Sequence, residues 1–478
     1  MRSRKLAEDH APAKFVDKQE TRFSPSSSPD AVPMNSPDVA SLPSRLPEQE
    51  IDFAELEDGT LVEMIQDPNN STRSLFAVCK NGTVENAATV ECEDRVLVPV
   101  PRDEGIPKHV RLPRGSEPYK SPTMLVGGIA SLIGACVDIG MYDVMLVAAF
   151  VLSTWFVESL PIAPYLALVG LPRSGKTTLL QVLNLVCRRP LLTADITSAA
   201  FYEVYEKMRP TLLIDETLTT RNRRELFHLL KIGSTRGSVT LRKGRSVNPF
   251  GPKVISCTEL PNDAALNSRC VIIPMQETHQ TNLAKVTDKK ILDIADVLQK
   301  QLMRYRLESY KSLKLPKVEG DERLYSRTRD LYQALALPLG SNAELCAFLV
   351  SCFENQQEIV REPLAPALAA VLRVLYGRIH LRPKDGQWAN KELTLSANFA
   401  LESLQETFRL NAHDVGRALT SLGFTSRKRT NAGFILYLDL RTRKRIHKMA
   451  HDYRIDQESQ FREDGFGEDC ELCKDLKS

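Results

Sequence analysis

The run Gly170-Leu-Pro-Arg-Ser-Gly175-Lys176-Thr177 places two glycines, a lysine and a hydroxyl at the spacing G-x-x-x-x-G-K-[ST]. These residue types at this spacing suit a phosphate chain. Glycines let a backbone fold round an anion, and the N-terminus of a following helix points free N–H groups at it. Lys176 is expected to reach the outer phosphates of ATP and the Thr177 hydroxyl to ligate Mg²⁺. Gly170, Pro172, Arg173, Ser174, Gly175 and Thr178 complete the expected nucleotide contacts.

A second group, Pro210-Thr-Leu-Leu-Ile-Asp215-Glu216, follows about forty residues later and reads as a buried strand ending in two acids. Beside a phosphate loop, Asp215 is placed to hold Mg²⁺ and Glu216 to orient and deprotonate the attacking water. An adjacent acid pair points to hydrolysis and not to nucleotide storage. The expected activity is therefore that of an ATPase.

Both groups need a strand behind them and a helix ahead. Tyr165–Val169 is a short apolar run of strand type, and Thr178–Cys187 has helical apolar spacing. Strands and helices alternate to about Met275, the pattern of an α/β fold with a P-loop core over 121–280. Ahead of the loop lie two apolar runs, Thr123–Val137 and Val144–Val157, separated by Asp138 and Asp143. Each is shorter than the roughly 18–20 residues of a spanning helix. A buried helical pair is expected, and no membrane partner.

The 478-residue chain carries 63 Lys plus Arg against 60 Asp plus Glu, so nucleic-acid affinity has to come from local basic regions. The ten cysteines are scattered, several in apolar contexts such as Cys136 and Cys187, as in reduced core positions. A reducing, cytoplasmic location is expected. Residues 1–49, rich in Ser, Pro and charge, read as disordered. A small β-rich module is expected over 50–120, with a hairpin turning at Asn81-Gly82. Helical patterns over 281–360 suggest a lid. Over 361–455, helices at Ala397–Arg409 and His413–Leu422 precede strands at Phe424–Thr430 and Phe434–Leu440, a winged-helix order. Residues 456–478 form a tail. Arg427, Lys428 and Arg429, with Arg441, Arg443, Lys444, Arg445 and Lys448, make this end basic and suited to duplex or single-stranded DNA.

Beyond the acid pair come Gly233-Ser-Thr-Arg-Gly-Ser-Val-Thr-Leu-Arg-Lys-Gly-Arg245, Phe250-Gly-Pro-Lys-Val-Ile-Ser-Cys-Thr-Glu-Leu-Pro261 and Leu266-Asn-Ser-Arg269-Cys-Val-Ile-Ile-Pro274. This order, with Ala194–Ala200 and Arg209–Glu216, resembles the ATPase half of phage and plasmid primase-helicases and, more distantly, superfamily 3 helicases of the AAA+ class. The similarity spans roughly 145–335 and loosens toward 450. It implies a homo-oligomeric, hexameric ring. It implies that Thr258 takes the sensor position, where superfamily 3 helicases carry Asn. It implies that Arg269 reaches a neighbouring subunit's γ-phosphate, and that Arg327 is a lid arginine contacting nucleotide. The hairpin-like run Val239–Val247 carries Arg242, Lys243 and Arg245 where such motors put a DNA-binding pore hairpin.

The function so implied is that of an ATP-dependent DNA helicase or translocase acting on single-stranded DNA in replication of a mobile element. The alternative is an ATP-switched, sequence-specific DNA-binding protein without unwinding, a reading for which Thr258 leaves room. Near the end of the chain, His447-x-x-x-His451 and Cys470-x-x-Cys473 have zinc-ligand types. A His pair at i, i+4 also occurs on solvated helices and a lone C-x-x-C is a weak signal, so zinc is not expected there.

Overall fold

The computed structural model describes residues 46–215, 223–242, 245–261, 263–315, 320–340, 342–359, 364–381, 386–403, 409–424, 427–430, 433–461, 466 and 470–473. Within a few residues of their ends, the expected disorder of 1–49 and much of the 456–478 tail lie outside this set, as do Glu216 and Lys243. The chain divides into two compact units at Pro47/Glu48, and all that follows concerns the second.

Five parallel strands form the central sheet: Cys270–Pro274, Tyr165–Val169, Lys253–Cys257, Thr211–Ile214 and Pro190–Thr193, in that spatial order. Numbered along the chain, the order is 5-1-4-3-2. Helices Lys176–Val186, Ser198–Lys207 and Arg223–Gly233 connect successive strands. The first, third and fourth of these strands in chain order are short and mostly apolar because a parallel sheet is covered on both faces, and Leu166, Leu168, Leu212, Leu213 and Val254 are fully buried. The architecture is α/β with a parallel sheet.

The two apolar runs ahead of the sheet form helices Pro122–Cys136 and Met141–Thr154. Residues Leu146 to Thr154 of the second are buried without exception, so it is apolar on every side because protein surrounds it. Helices Ser326–Ala336 and Ala343–Ile359 pack on it, and Lys289–Ser309 packs on the first helix and on Lys176–Val186. Among the described residues no helix is long and apolar enough to cross a membrane.

The N-terminal β region is not an independent appendage. Strands Phe53–Glu55, Leu61–Asp67, Asn70–Lys80 and Thr83–Ala87 form an antiparallel sheet, the last two joined at Asn81 (φ 53°) and Gly82 (φ 82°). The positive φ values are those a tight Asn-Gly hairpin turn requires. Strand Leu61–Asp67 is buried on both faces: Leu61 and Ile65 join the core of the apolar helices, and Val62 and Met64 join the core under the other face of the central sheet.

Glu63 lies in this strand, on the face of Leu61 and Ile65, and is 1% exposed. Its carboxylate meets Arg188 (2.9 Å), Arg189 (2.7 Å) and Arg306 (2.9 Å). Glu158 pairs with Arg188 (2.8 Å) and Arg306 (3.0 Å), while Asp52 pairs with Arg189 and with Arg209 (3.0 Å). Burial pushes each carboxyl up, but the guanidiniums outweigh it: Glu63 and Asp52 lie below their ordinary values and Glu158 is brought down to about 2.

The C-terminal region has its own core, built from residues such as Leu372, Leu375, Trp388, Leu401, Val415, Leu419, Leu436 and Ile446. Helix Pro366–Leu381 leads to strand Gln387–Ala389, helices Asn390–Ser403 and Ala412–Ser421, strands Arg427–Thr430 and Gly433–Tyr437, and helix Leu440–Asp452. The three strands pair antiparallel with Gly433–Tyr437 in the centre. The second strand of the expected hairpin stops short of Leu440 because the Asp439 side chain accepts from Thr442 N (2.7 Å) and caps a helix there. The helix expected from Ala397 starts at Asn390.

Carboxyls held below their unfolded values stabilise the fold at neutral pH and lose that contribution as pH falls through the folded values. The contribution of Glu63 and Glu158 is therefore full above 4.5, their ordinary value, and is lost as pH falls through their folded values, about 2 for Glu158. Glu63→Gln removes one partner from a buried pair network and is expected to cost about 3–5 kcal/mol. A urea titration at neutral pH and one at pH 3 check both: the variant's deficit relative to wild type should shrink in acid.

Candidate nucleotide-binding site

Strand Tyr165–Val169 lies between Lys253–Cys257 and Cys270–Pro274, and its flanks fix how it ends. Gly170 N donates to Cys257 O (3.1 Å) on one side, and Met275 N donates to Val169 O (2.7 Å) on the other. A Cβ on Gly170 would lie 2.2 Å from Met275 O and 2.8 Å from Ser174 Oγ, so only glycine fits where the strand leaves the sheet. The loop then turns through Arg173 (φ 70°) to Gly175 (φ 85°), the left-handed residue preceding helix Lys176–Val186. Among the described residues no side chain caps this helix start, and its first-turn N–H groups face the loop.

Lys176 Nζ donates to Gly170 O (2.6 Å), Leu171 O (2.9 Å) and Ser174 Oγ (3.4 Å). The ammonium thus folds over the cradle and is satisfied by loop oxygens that phosphate oxygens can replace. Pro172, Arg173, Ser174, Gly175, Lys176, Thr177 and Thr178 line one wall of a cleft of about 440 Å³. Asp215, Ser256, Cys257 and Thr258 line the rest. Asp215 follows the buried strand Thr211–Ile214, with its N–H donating to Thr193 O (2.8 Å). Because Lys253–Cys257 lies between the loop strand and the Asp215 strand, Thr258 emerges between them.

Lys176, Thr177, Asp215 and Thr258, four of the expected chemical residues, therefore meet in one cleft. The donor set fits ATP with a hard cation: a glycine cradle without room for a Cβ, an uncapped helix start, an ammonium, a hydroxyl and a carboxylate. Ser256 and Cys257 were missed by sequence reasoning; their position at the end of the strand before Thr258 was the available signal. Burial pushes the Cys257 thiol up to about 11, against a smaller pull from Lys176, so it stays protonated and does not compete as a nucleophile.

Arg269 and Arg327 are elsewhere. Arg269 immediately precedes strand Cys270–Pro274, and Cys270 pairs with Tyr165, the first residue of the loop strand. At about 3.3 Å per residue, the strand separates Arg269 from the cradle by roughly 15 Å. Its Nε donates to Ser234 Oγ (3.0 Å) and its Nη1 to Ala265 O. Arg327, near the start of helix Ser326–Ala336, donates to Ser268 Oγ and lines a second cleft of about 340 Å³ with Ser268 and Cys270. Burial, and then the charge of Arg327, draw the Arg269 guanidinium below its ordinary value. The two arginines share the end of the strands opposite the cradle.

The basic hairpin is present in the backbone: Thr240–Arg242 pairs antiparallel with Arg245–Val247, placing Arg242 directly across from Arg245. Leu241 is 79% exposed beside them. The base of the hairpin is anchored. Lys253 Nζ, fully buried, donates to Pro249 O (2.9 Å) and Gly251 O (2.8 Å) and lies 4.7 Å from the Tyr205 ring centroid and 4.9 Å from that of Tyr165. Arg236 lies over the Phe250 ring (5.1 Å) and donates to Val157 O (3.1 Å) and Glu158 O (2.6 Å).

In the C-terminal region, Arg427 pairs in register with Leu436, and Lys428 and Arg429 are exposed on the same edge strand. Arg443 and Arg445 instead serve the fold: their Nε atoms donate to Leu438 O (3.0 Å) and Leu422 O (3.1 Å). Arg441, Lys444 and Lys448 are exposed.

No protein-family model and no curated protein matches the chain. Among solved structures, the apo C-terminal region of NrS-1 is similar at 12% identity, with 79% of this chain and 95% of that one covered and a TM-score of 0.37. A full-length MCM homolog from Methanopyrus kandleri gives 10% identity, 63% and 77% coverage and a TM-score of 0.32. JCV helicase gives 16% identity, 46% and 66% coverage and a TM-score of 0.25. With likeness this slight, the site rests on its own geometry.

That geometry makes a sharp distinction between two glycines. Gly175→Ala forces a side chain into a left-handed conformation, costing about 1–2 kcal/mol and roughly tenfold in ATP affinity. Gly170→Ala drives a methyl into backbone and is expected to abolish binding. Titration with a fluorescent ATP analogue checks the ranking.

Proposed function

We propose that the protein is an ATP-hydrolysing DNA motor, a helicase or translocase for replication of a mobile element, in which neighbouring subunits share each active site. The observation that carries this reading is the separation of Lys176, Asp215 and Thr258 in one cleft from Arg269 and Arg327 at the other end of the same strands. A guanidinium so far from its own cradle cannot stabilise charge there. In a head-to-tail ring it meets the next subunit's γ-phosphate, where its planar fork suits the charge developed in phosphoryl transfer.

Thr177 and Asp215 would hold Mg²⁺, which neutralises charge on the phosphate oxygens when bound. Lys176 leaves its loop oxygens for the outer phosphates. Glu216 takes the proton of the attacking water, and the Thr258 hydroxyl donates one hydrogen bond to water or phosphate. Arg242, Lys243 and Arg245, repeated round a ring, grip a single strand through its phosphates. We read the C-terminal helices and strands as a winged helix whose edge residues Arg427, Lys428 and Arg429 add DNA contacts. The alternative, an ATP switch that marks a DNA site without unwinding, rests on the shorter reach of Thr258 compared with Asn.

ATP hydrolysis should rise when single-stranded DNA is added and disappear in Lys176→Ala. Arg269→Ala and Glu216→Gln should each lose about a thousandfold in turnover. Mixed together, the two inactive variants should recover activity, because some interfaces then pair an intact cleft with an intact arginine. No recovery on mixing, or unwinding by Lys176→Ala, sinks the shared-site motor; ATP-dependent duplex footprinting without stimulation by single strands favours the switch.

Salt dependence probes the hairpin. Replacing Arg242, Lys243 and Arg245 by Ala should flatten log affinity against log salt by about 0.7 for each phosphate no longer neutralised, equally for all sequences. Fluorescence anisotropy with labelled oligonucleotides of differing sequence measures both the slope and the sequence independence.

A further inference from the structure

Four metal-ligating side chains from three separated segments converge in the C-terminal region. His380 lies in the last turn of helix Pro366–Leu381, His447 in the middle of helix Leu440–Asp452, and Cys470 and Cys473 on a turn near the end of the chain. Their ligand atoms all lie within 4.8 Å of one another. The two Nε2 atoms are 3.2 Å apart, His380 Nε2 is 3.1 Å from Cys473 Sγ, and His447 Nε2 is 3.1 Å from Cys470 Sγ.

The imidazole orientations are fixed from behind. His380 Nδ1 is 2.8 Å from Tyr376 O and His447 Nδ1 is 2.8 Å from Arg443 O, each a carbonyl one turn earlier in the same helix. A carbonyl only accepts, so each Nδ1 carries hydrogen and each neutral ring turns its Nε2 lone pair into the cluster. Each Nε2 then faces a cysteine sulfur and the other ring's Nε2, so four potential ligand atoms converge on one point. This is the backbone support by which metal-binding histidines are usually held. Tyr376 packs against both imidazoles, Phe466 packs against His380, and Phe461 packs against Tyr376 and Phe466. Tyr376 Oη approaches Cys473 Sγ at 3.7 Å.

We propose that His380, His447, Cys470 and Cys473 bind one structural zinc ion that ties the end of the chain to the two helices. Bonds of about 2.0–2.1 Å to nitrogen and 2.3 Å to sulfur put tetrahedral ligand atoms roughly 3.3–3.8 Å apart; three of the observed spacings are 3.1–3.2 Å and all lie within 4.8 Å. Two nitrogens and two thiolates form a closed shell, the mark of a structural site. The set differs from the one suggested by spacing in sequence. His451 is engaged with Asp456 (3.0 Å), and its place is taken by His380, 67 residues before His447.

The full chain, purified reduced and without chelators, should contain one zinc per chain by elemental analysis. Cys470→Ser with Cys473→Ser, and His380→Ala alone, should lose it; His451→Ala should keep it. Because a ligand variant can fail to fold, Co²⁺ exchange into the wild-type protein provides a second reading: tetrahedral d–d bands with thiolate charge transfer are expected. The site is refuted by wild-type protein that takes up no zinc, by octahedral or absent cobalt bands, or by a Cys470–Cys473 disulfide in the reduced preparation. Loss of zinc in His451→Ala with retention in His380→Ala refutes the ligand assignment.

Discussion

The buried arginine–carboxylate hub built on Glu63 is the constraint on which the rest of the parallel-sheet region depends. Arg188 and Arg189 occupy the turn between the helix that follows the phosphate cradle and the next strand, Arg306 belongs to a helix of the later helical segment, and Glu63 belongs to the N-terminal sheet. Charges removed from water are tolerated only where partners meet them closely. The hub therefore specifies geometry more than it adds stability: no member can shift without leaving a charge unpaired. Backbone ties reinforce it, with Arg188 N donating to Thr154 Oγ1 (3.0 Å) and Thr211 N to Arg189 O (3.1 Å). The far end of the cradle helix, the strand leading to Asp215 and the N-terminal sheet are thus held in one frame.

That frame explains what could be read along the chain and what could not. The cradle was legible because its chemistry is contiguous: glycines, lysine and hydroxyl lie within eight residues, and a parallel strand announces itself by an unbroken apolar run. The Asn81-Gly82 turn was legible for the same reason. Glu63 has no local signal to mark it, since its partners lie 125, 126 and 243 residues away. His380 was hidden in the same way, while the nearer His451 was the more conspicuous candidate. Local signals end where an interaction needs the fold to assemble it.

Arg327 shows the same limit from another direction. The resemblance implied a lid arginine contacting nucleotide, but nothing in local sequence says which end of the sheet a helix will reach. The contact with Ser268 puts it beside Arg269. The hairpin, by contrast, was visible in its residues, but the reason it can be held firmly was not. Its stem rests on Lys253, whose amino group, drawn well below its ordinary value by burial, is held by two carbonyls and aromatic faces.

The parallel arrangement of the Cys270–Pro274 and Tyr165–Val169 strands has a consequence for stoichiometry. It gives the chain a direction, with an arginine end and a cradle end that are not interchangeable. Subunits that join arginine to cradle make a heterologous contact, which closes into a ring only if the rotation between neighbours allows it. An open chain of n subunits then leaves one cradle unserved and has n − 1 complete sites, whereas a closed ring has n. Activity per subunit would climb with chain length and level off at closure, so the concentration dependence of turnover would report the assembly's topology without any image of it.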